Sequence, residues 1–159
     1  MSDFRSTHEI SINASPETVF GIINDFTRHK ELVGLGGLVN VRTLTEGSIG
    51  LGSFIEPDES VQMGENTIEL STTSVVVGHN SPHHLSWIVL PPFPLRRVQW
   101  WFKSTQQGES ITLVHEVEVD LGEAAEQFGG VATFTTGRGT ALASGMQQTL
   151  ENVKLAAEK

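Results

Sequence analysis

The sequence of 159 residues contains no cysteine and no tyrosine. Without cysteine, the chain has no disulfide framework, zinc–thiolate site, iron–sulfur cluster or thiol nucleophile. A chain of this length buries roughly 70% of the surface that its unfolded form exposes, so it can build a core without a structural metal. We therefore predict a single domain over residues 1–159 that folds without a cofactor.

Basic residues are also scarce. The chain has 10 Lys+Arg against 19 Asp+Glu, a formal net charge of −9, and nucleic acid is therefore not an expected partner. Long apolar runs are missing too, because prolines interrupt the longest one, Trp87–Leu95. The N-terminal residues are polar and precede no apolar segment. We expect neither a signal peptide nor a membrane span, and hence a cytoplasmic protein.

Hydrophobic periodicity predicts one strand, two short helices, six further strands and one long helix. In the first strand, His8–Ile12, every second side chain shares a face. Ser15 and Pro16 mark the start of the first helix, and the second helix runs from Asp25 to about Leu32. The six later strands are predicted at Leu38–Leu44, Leu51–Glu56, Asn66–Val77, His83–Leu90, Arg97–Thr105 and Ser110–Leu121. The stretch Pro57–Gly64 is predicted to be a polar hairpin loop.

The last helix, about Val131 to Ala157, is long enough to organise the whole fold. Its length of roughly 40 Å matches that of a twelve-residue strand. We therefore predict an α+β protein with the helix-grip fold: a curved antiparallel sheet of about seven strands wrapped round this C-terminal helix. Gly137, Gly139 and Gly145 weaken the helix, so a kink or frayed region is expected in its first half.

Five short segments carry a resemblance to a known superfamily, and they follow one another in the order that it requires. They are Ala14–Phe20, Asp25-Phe26, Gly50–Phe54, Pro82–Trp87 and Gly145–Lys154. With them the chain resembles the START-like, Bet v 1-like (SRPBCC) superfamily, of the polyketide cyclase/dehydrase and lipid-transport type. The resemblance implies an apolar ligand between the curved sheet and the long helix. The chain departs from it at Glu31–Gly37, where many relatives carry a Trp-Pro-type element.

Strand alternation selects the side chains that face such a ligand. The same alternation turns Ile68 and Leu70 toward the inside. On the sheet, the candidate ligand-binding residues are Thr72, Ser74, Trp87, Trp100, Phe102 and His115. On the long helix, they are Phe134, Arg138, Leu142 and Met146.

Each candidate also has a purely structural interpretation. His115 is either a core histidine bonded to a hydroxyl or backbone group, a ligand contact or a general acid/base. Thr72 and Ser74 are either β-forming residues on a half-buried face or polar points of a ligand site. The inward aromatic side chains are either core or a ligand platform. Arg138 is either solvated or placed to gate the pocket or bind a carboxylate.

Other polar residues are not expected to form a site. His79, His83 and His84 cluster near one turn, but neither a helical nor a strand register brings them together with a carboxylate, so no metal is predicted. Glu116 and Glu118 fall on the outer face of the sheet and are predicted to be solvated.

Three functions fit these observations. The first is a carrier or sensor for a small hydrophobic molecule, such as a lipid or a polyketide-like aromatic. The second is an aromatase/cyclase or dehydratase enzyme, which the absence of tyrosine and the few inward acids make less favourable because His115 would act nearly alone. The third is a protein-partner module of the chaperone-activator kind, with an exposed apolar patch near Trp101 and a filled core. Catalytic residues and the oligomeric state stay open at this stage.

Overall fold

One curled antiparallel sheet is the central element of the fold. The computed structural model describes residues 2–34, 37–63 and 65–159. Seven strands of the described chain follow the order β1-β8-β7-β6-β5-β3-β2, and β4 pairs with β3 beside that path. The strands are β1 (Phe4–Ile12), β2 (Leu38–Thr43), β3 (Phe54–Met63), β4 (Asn66–Ser71), β5 (Ser74–Asn80), β6 (His84–Val89), β7 (Arg97–Gln107) and β8 (Ser110–Asp120).

Short helices follow β1, and a long helix closes the chain. The helices are α1 (Pro16–Ile23), a 3-10 turn (Phe26–Arg28), α2 (His29–Leu32), a 3-10 helix (Gly122–Phe128), α3 (Val131–Phe134), a π-helical segment (Thr135–Gly139) and α4 (Thr140–Ala157). α3, the π-helical segment and α4 are continuous, and together they cover the stretch predicted as one helix. The predicted α+β helix-grip fold is confirmed.

Local sequence explains where the first elements begin. β1 alternates between exposed and more buried side chains, as its period-two pattern predicts. Ser15 caps α1, because its Oγ accepts a hydrogen bond from the Thr18 backbone N–H at 3.1 Å. Pro16 occupies the first turn, where its missing N–H needs no partner.

The prediction of a loop at Pro57–Gly64 is wrong over its described part. β3 continues to Met63 and pairs with β4. Asp58 is one of the polar residues of this stretch, but it lies on the outer face of the strand, as does Glu56, and both form ion pairs with Arg42. Gly64 lies outside the described residues, as do Leu35 and Gly36 of the segment that departs from the superfamily pattern.

The strand predicted over Asn66–Val77 is divided in two. β4 ends at Ser71 and β5 begins at Ser74, so β3 pairs first with β4 and then with β5. At this break the Thr72 N–H donates to the Pro57 carbonyl at 3.2 Å. Proline is tolerated within β3 because it lies beside an interruption of the ladder. The described part of the chain therefore has eight strands, where about seven were predicted.

The weakened half of the long helix is a π-helical segment, where a kink or fraying was predicted. Gly139 at its end packs against Phe4 of β1, so closely that a Cβ atom there would lie 2.6 Å from the phenyl ring. Glycine is therefore needed for the contact between this segment and β1. The segment places Arg138 on an exposed turn.

Among the residues that the structure describes, the buried side chains form two hydrophobic clusters. The first joins α1, the 3-10 turn and α2 to the sheet, and includes Phe26, Leu85 and Phe102. The second joins β7 and β8 to the N-terminal half of the long helix, and includes Val117 and Phe134. The long helix packs mainly along β1, and it leaves the concave face of β3–β6 less covered.

Candidate functional site

Two tryptophans on the concave face of the sheet are only partly buried. Trp87 of β6 lies directly opposite Trp100 of β7, and their rings stack with centroids 6.4 Å apart. Both side chains face inward, between the buried residues Leu85 and Phe102 on one side and Val98 on the other, yet both remain partly exposed. We call the space over Trp87, Trp100 and the neighbouring concave face of β3–β4 the aromatic groove.

The β3–β4 hairpin supplies the second wall of the aromatic groove. Glu59 of β3 lies between Leu38 of β2 and Leu70 of β4 in the sheet register, so the three side chains share the inner face. Ile68 and Leu70 are 40% and 39% exposed. The prediction that these two side chains lie inside is therefore wrong: they face the concave side, but the long helix does not cover them.

Glu59 is a candidate site residue that the sequence analysis missed, because it assigned this stretch to a loop. Burial raises the pKa of the Glu59 carboxyl, and the positive charge of Arg138 partly offsets that effect. The strand alternation of residues 55–59 was the signal that could have identified this inward acid.

The four predicted helical residues lie in two different environments. Phe134, Leu142 and Met146 are buried in the second cluster, with Trp100 packed against it. Arg138 is exposed on the π-helical segment. The structure therefore brings the three apolar residues together with Trp100, whereas Arg138 stands at the solvent edge.

His115 lies in an aromatic stack on the same face. Its ring is sandwiched between Phe102, at a centroid distance of 4.0 Å, and Trp100, at 5.4 Å. Its Nδ1 is 2.9 Å from the Trp101 carbonyl oxygen, and since a carbonyl only accepts, Nδ1 carries the proton. Burial lowers the pKa of His115 to about 4, so the ring is neutral at pH 7. This geometry is the structural alternative considered for His115; a ligand contact through Nε2 stays a prediction.

A second buried histidine, His29, was not recognised as a candidate. Its Nε2–H donates to the Ile23 carbonyl at 2.8 Å, and its ring lies 5.8 Å from that of Trp87. Burial lowers its pKa to about 4. A cavity of about 10 Å³ lies beside His29, Phe102 and Thr149, which is room for about one water. The sequence offered one weak signal for His29, its position on the same face as Leu32 in the four-residue helix α2.

The two hydroxyl candidates differ in their surroundings. Ser74 is buried on β5, opposite Val89 of β6. Thr72 is partly exposed at the break between β4 and β5, next to Pro57. Thr72 therefore borders the open hairpin side of the groove, and Ser74 lies deeper.

The outer face of the sheet corrects one prediction. Glu116 is only 5% exposed and is not a solvated charge. Its carboxylate accepts hydrogen bonds from Arg5 and Thr7, both at 2.9 Å, and from Lys103 at 3.3 Å. Long basic side chains lie over it and exclude water, which strand alternation does not reveal. Trp101 is partly exposed beside Lys103, whose Nζ lies 5.5 Å from the ring centroid.

Two further arrangements do not add to the site. His79 packs its ring against Phe20, at a centroid distance of 5.3 Å, and within the described ranges no three His or acidic side chains are grouped to hold a metal. A surface groove of about 240 Å³ lies between β1 and α4, lined by Glu9 and Gln147 among others. It is smaller than typical ligand pockets, which measure roughly 300–1,000 Å³.

No helix in the described part of the chain combines the length and apolarity of a membrane span.

Known structures share this architecture over the whole chain. The di-domain ARO/CYC protein BexL from the BE-7585A biosynthetic pathway matches with a TM-score of 0.73 and 19% identity, over 98% of this chain and 50% of its own. The di-domain ARO/CYC protein StfQ from the steffimycin biosynthetic pathway matches with a TM-score of 0.75 and 15% identity, over 98% of this chain and 51% of its own. The chain thus spans about half the length of both proteins.

The major latex-like protein 151 from Panax ginseng matches over nearly its full length, with a TM-score of 0.71 and 6% identity over 98% of both chains. At these identities the likeness establishes the fold alone. No curated protein matches the chain in sequence. The sequence model of one family, described as polyketide cyclase / dehydrase and lipid transport, matches residues 3–158, and the chain therefore belongs to that family.

Proposed function

We propose that the protein binds a small apolar molecule with a flat ring system in the aromatic groove, as a carrier or sensor. The observation that carries this proposal is the partial exposure of two stacked, inward-facing tryptophans, Trp87 and Trp100. Large aromatic side chains on a concave face usually become buried, and their exposure leaves apolar surface for a ligand to cover. A planar ligand can stack on both rings.

The remaining walls suit such a ligand. Leu70 and Ile68 offer apolar surface on the hairpin side, while Thr72, Glu59 and Arg138 provide a few polar groups at the edge. An apolar lining with few polar points is the usual composition of small-molecule sites. The description of the family and the two ARO/CYC structures further support a polyketide-like aromatic compound as the ligand class.

Tryptophan fluorescence tests this proposal directly. The chain has three tryptophans, so a Trp101→Phe background leaves only the two groove residues to report. Anthraquinone is a suitable probe, because it is a flat tricyclic molecule without charge. We expect saturable quenching in this background, and a loss of affinity of roughly tenfold when Trp100 is replaced by Ala.

Trp101 provides the matched control, since it is the same residue type one position along the strand but on the outer face. By calorimetry, Trp101→Ala should bind anthraquinone like the parent protein. Equal affinities of Trp100→Ala and Trp101→Ala, with both variants folded by circular dichroism, would remove the groove as the binding site. Native mass spectrometry of the freshly purified protein would additionally identify any molecule that copurifies.

A second function, a cyclase- or dehydratase-type enzyme, is favoured by one specific observation. Glu59 places a carboxyl with a raised pKa on the groove wall, where the sequence had indicated few inward acids. As a carboxylate, such a group can take a proton from the carbon next to a ketone and return that proton to the β-hydroxyl, which then leaves as water as the carbon–carbon double bond forms. The β-hydroxyketone that dehydrates to benzalacetone is a simple probe, because its product absorbs strongly in the ultraviolet.

If the protein is an enzyme of this kind, it accelerates the dehydration, and Glu59→Gln lowers kcat. The matched control is Glu56→Gln, which changes a carboxylate on the opposite face of the same strand. Anthraquinone binding without any acceleration of dehydration would favour the carrier over this enzyme.

A further inference from the structure

Ser6 and His8 form a hydrogen-bonded pair on the inner face of β1. The Oγ atom of Ser6 lies 2.6 Å from Nε2 of His8, two residues further along the strand. Both side chains belong to the inward-facing set of β1, and both are only partly exposed. A serine hydroxyl and an imidazole within hydrogen-bond distance are the nucleophile and the base of many acyl-transfer sites.

Gln147 of α4 supplies a third group on the other side of the imidazole. Its side-chain amide lies 3.4 Å from Nδ1 of His8, although the two residues are 139 positions apart in the sequence. The imidazole is therefore held between a hydroxyl at Nε2 and an amide at Nδ1. A nucleophile, a base and a group that orients the base together form the arrangement that activates a serine.

The orientation of the Gln147 amide decides which nitrogen of His8 carries the proton. With the amide nitrogen toward Nδ1, His8 carries its proton on Nε2 and donates to Ser6. Rotation of the amide by half a turn exchanges its oxygen and nitrogen without changing its shape. The oxygen then accepts from Nδ1–H, and Nε2 can accept the proton of the Ser6 hydroxyl. Burial lowers the pKa of His8, which favours the neutral ring that a base requires.

The groove between β1 and α4 lies beside this group of side chains. It has a volume of about 240 Å³, and Gln147 forms part of its wall. The other lining residues are Glu9, Ile10, Leu150 and Glu151. Ile10 follows His8 on the same face of β1, about 7 Å further along the strand. The groove thus offers apolar surface next to the imidazole.

We propose that Ser6, His8 and Gln147 form a second site, which hydrolyses a small neutral or cationic ester through an acyl-serine. Ser6 Oγ attacks the carbonyl carbon of the ester while its proton passes to Nε2 of His8. That proton goes to the leaving alcohol as the bond between the carbonyl carbon and the alkoxy oxygen breaks. Water then attacks the acyl-serine with His8 again as the base, and the proton returns to Ser6 Oγ as the carboxylic acid leaves. Ser6 and His8 are the catalytic residues, and Gln147 is a positioning residue.

The lining of the groove defines the substrate class. Glu9 and Glu151 place two carboxylates there, and the whole chain has a net charge of −9. An anionic ester would be repelled, whereas a neutral or cationic ester would not. The small volume limits the acyl chain to a few carbons. This site lies between β1 and α4, so it does not depend on ligand binding over Trp87 and Trp100.

Acylation of Ser6 is the direct test. The purified protein is treated with p-nitrophenyl acetate, and peptide mass spectrometry identifies the residue that carries the acetyl group. We expect acetylation of Ser6, and a rate that falls roughly a hundredfold in His8→Ala because the general base is lost. Ser6→Ala should abolish the modification at this peptide. Ser11→Ala is the matched control, since Ser11 is an exposed serine on the opposite face of the same strand, and it should react like the parent protein.

Gln147→Glu gives a test that does not depend on a loss of function. A carboxylate only accepts hydrogen bonds, so it places the proton of His8 on Nδ1 and leaves Nε2 as the base. We expect acetylation of Ser6 to become at least about tenfold faster, because the carboxylate of a serine hydrolase acts on its histidine in this way. Gln147 is exposed, so the fold tolerates the change. Gln148→Glu adds the same charge at the next exposed position and should leave the rate unchanged.

Three results would overturn the proposal. The first is acetylation of lysine or other histidine side chains alone, with Ser6 unmodified both in the parent protein and in Gln147→Glu. The second is release of p-nitrophenol at the same rate from Ser6→Ala and Ser11→Ala, with both variants folded by circular dichroism. The third concerns the substrate class: mono-p-nitrophenyl succinate, an anionic ester, would react faster than p-nitrophenyl butyrate.

Discussion

The ring of Phe102 lies almost parallel to that of His115, with the planes 6° apart and the centroids 4.0 Å apart. On the far side of His115, Trp100 stacks at 5.4 Å. An imidazole between two aromatic rings is well packed when neutral, but it has no nearby carboxylate to stabilise its charged form. The stack therefore ties the stability of the core to the protonation of one histidine.

Acid should destabilise the protein well above the pH at which carboxylates titrate. The pKa values of His29 and His115 are lowered from 6.5 to about 4, so the unfolded chain binds protons more readily than the folded one between these values. Stability is complete above pH 6.5 and is lost as the pH falls toward 4. We expect a loss of roughly 2 kcal/mol per histidine at about pH 5, measured by urea denaturation.

The exposed His83 gives the control for that prediction. His83→Gln should keep the full difference in unfolding free energy between neutral and acidic pH. An unfolding free energy that is the same at pH 7 and pH 5 would contradict the burial of both neutral rings.

Two glycines of the π-helical segment should respond to alanine in opposite directions. In Gly139→Ala, the new Cβ would lie 2.6 Å from the Phe4 ring, so we expect a loss of about 1–3 kcal/mol from overpacking. In Gly137→Ala, nothing lies within 4 Å of the new Cβ, and we expect a gain of up to about 1 kcal/mol. Thermal unfolding of both variants measures the difference. If adding Phe4→Leu to Gly139→Ala restores the lost stability, the clash between the new Cβ and the Phe4 ring is its cause. A Gly139→Ala protein as stable as the parent would show that Phe4 moves freely.

Glu116 should be the most important carboxylate of the outer face. It accepts hydrogen bonds from Arg5, Thr7 and Lys103, and these bonds outweigh burial and lower its pKa. Glu116→Gln weakens them, and we expect a loss of about 1–2 kcal/mol at pH 7 in chemical denaturation. Glu118→Gln, which changes a more exposed partner of Arg5, should cost less. If both variants lose the same small amount of unfolding free energy, Glu116 is not the most important carboxylate of this face.

Leu70 should matter for binding more than for folding. Because its side chain is 39% exposed, Leu70→Ala should change the unfolding free energy by less than about 1 kcal/mol. If anthraquinone lies against the hairpin wall, its affinity falls roughly threefold through lost apolar contact. Leu155→Ala, at a position 66% exposed on α4, is the control and should leave the affinity unchanged. Calorimetric titration of both variants distinguishes the hairpin wall from nonspecific surface.

The fold could be predicted because its signals are local. Ser15 and Pro16 fix the start of a helix, and period-two alternation identifies most strands together with their inner faces. The inward placement of His115 and Phe102 follows from the same alternation. These features depend on residues only a few positions apart, so the sequence pattern predicts them.

The candidate site was harder to predict because its polar parts depend on distant contacts. Glu59 was assigned to a polar loop, and strand alternation shows its direction only once the pairing with β2 and β4 establishes that the stretch is a strand. Glu116 was predicted to be solvated because strand alternation places it on the outer face. The side chains that cover it come from β1 and β7, which are distant in the sequence, so the prediction could not include them. The exposure of Leu70 depends on where the long helix lies, which the strand pattern does not contain.

The pairing of β1 with β8 has a consequence for how the chain folds. Arg5 and Glu116 contact one another although they are 111 positions apart in the sequence. The sheet therefore includes pairings of high contact order, whose loop-closure entropy slows folding relative to a hairpin meander of the same size. During synthesis, β1 must therefore wait without its partner until β8 has emerged.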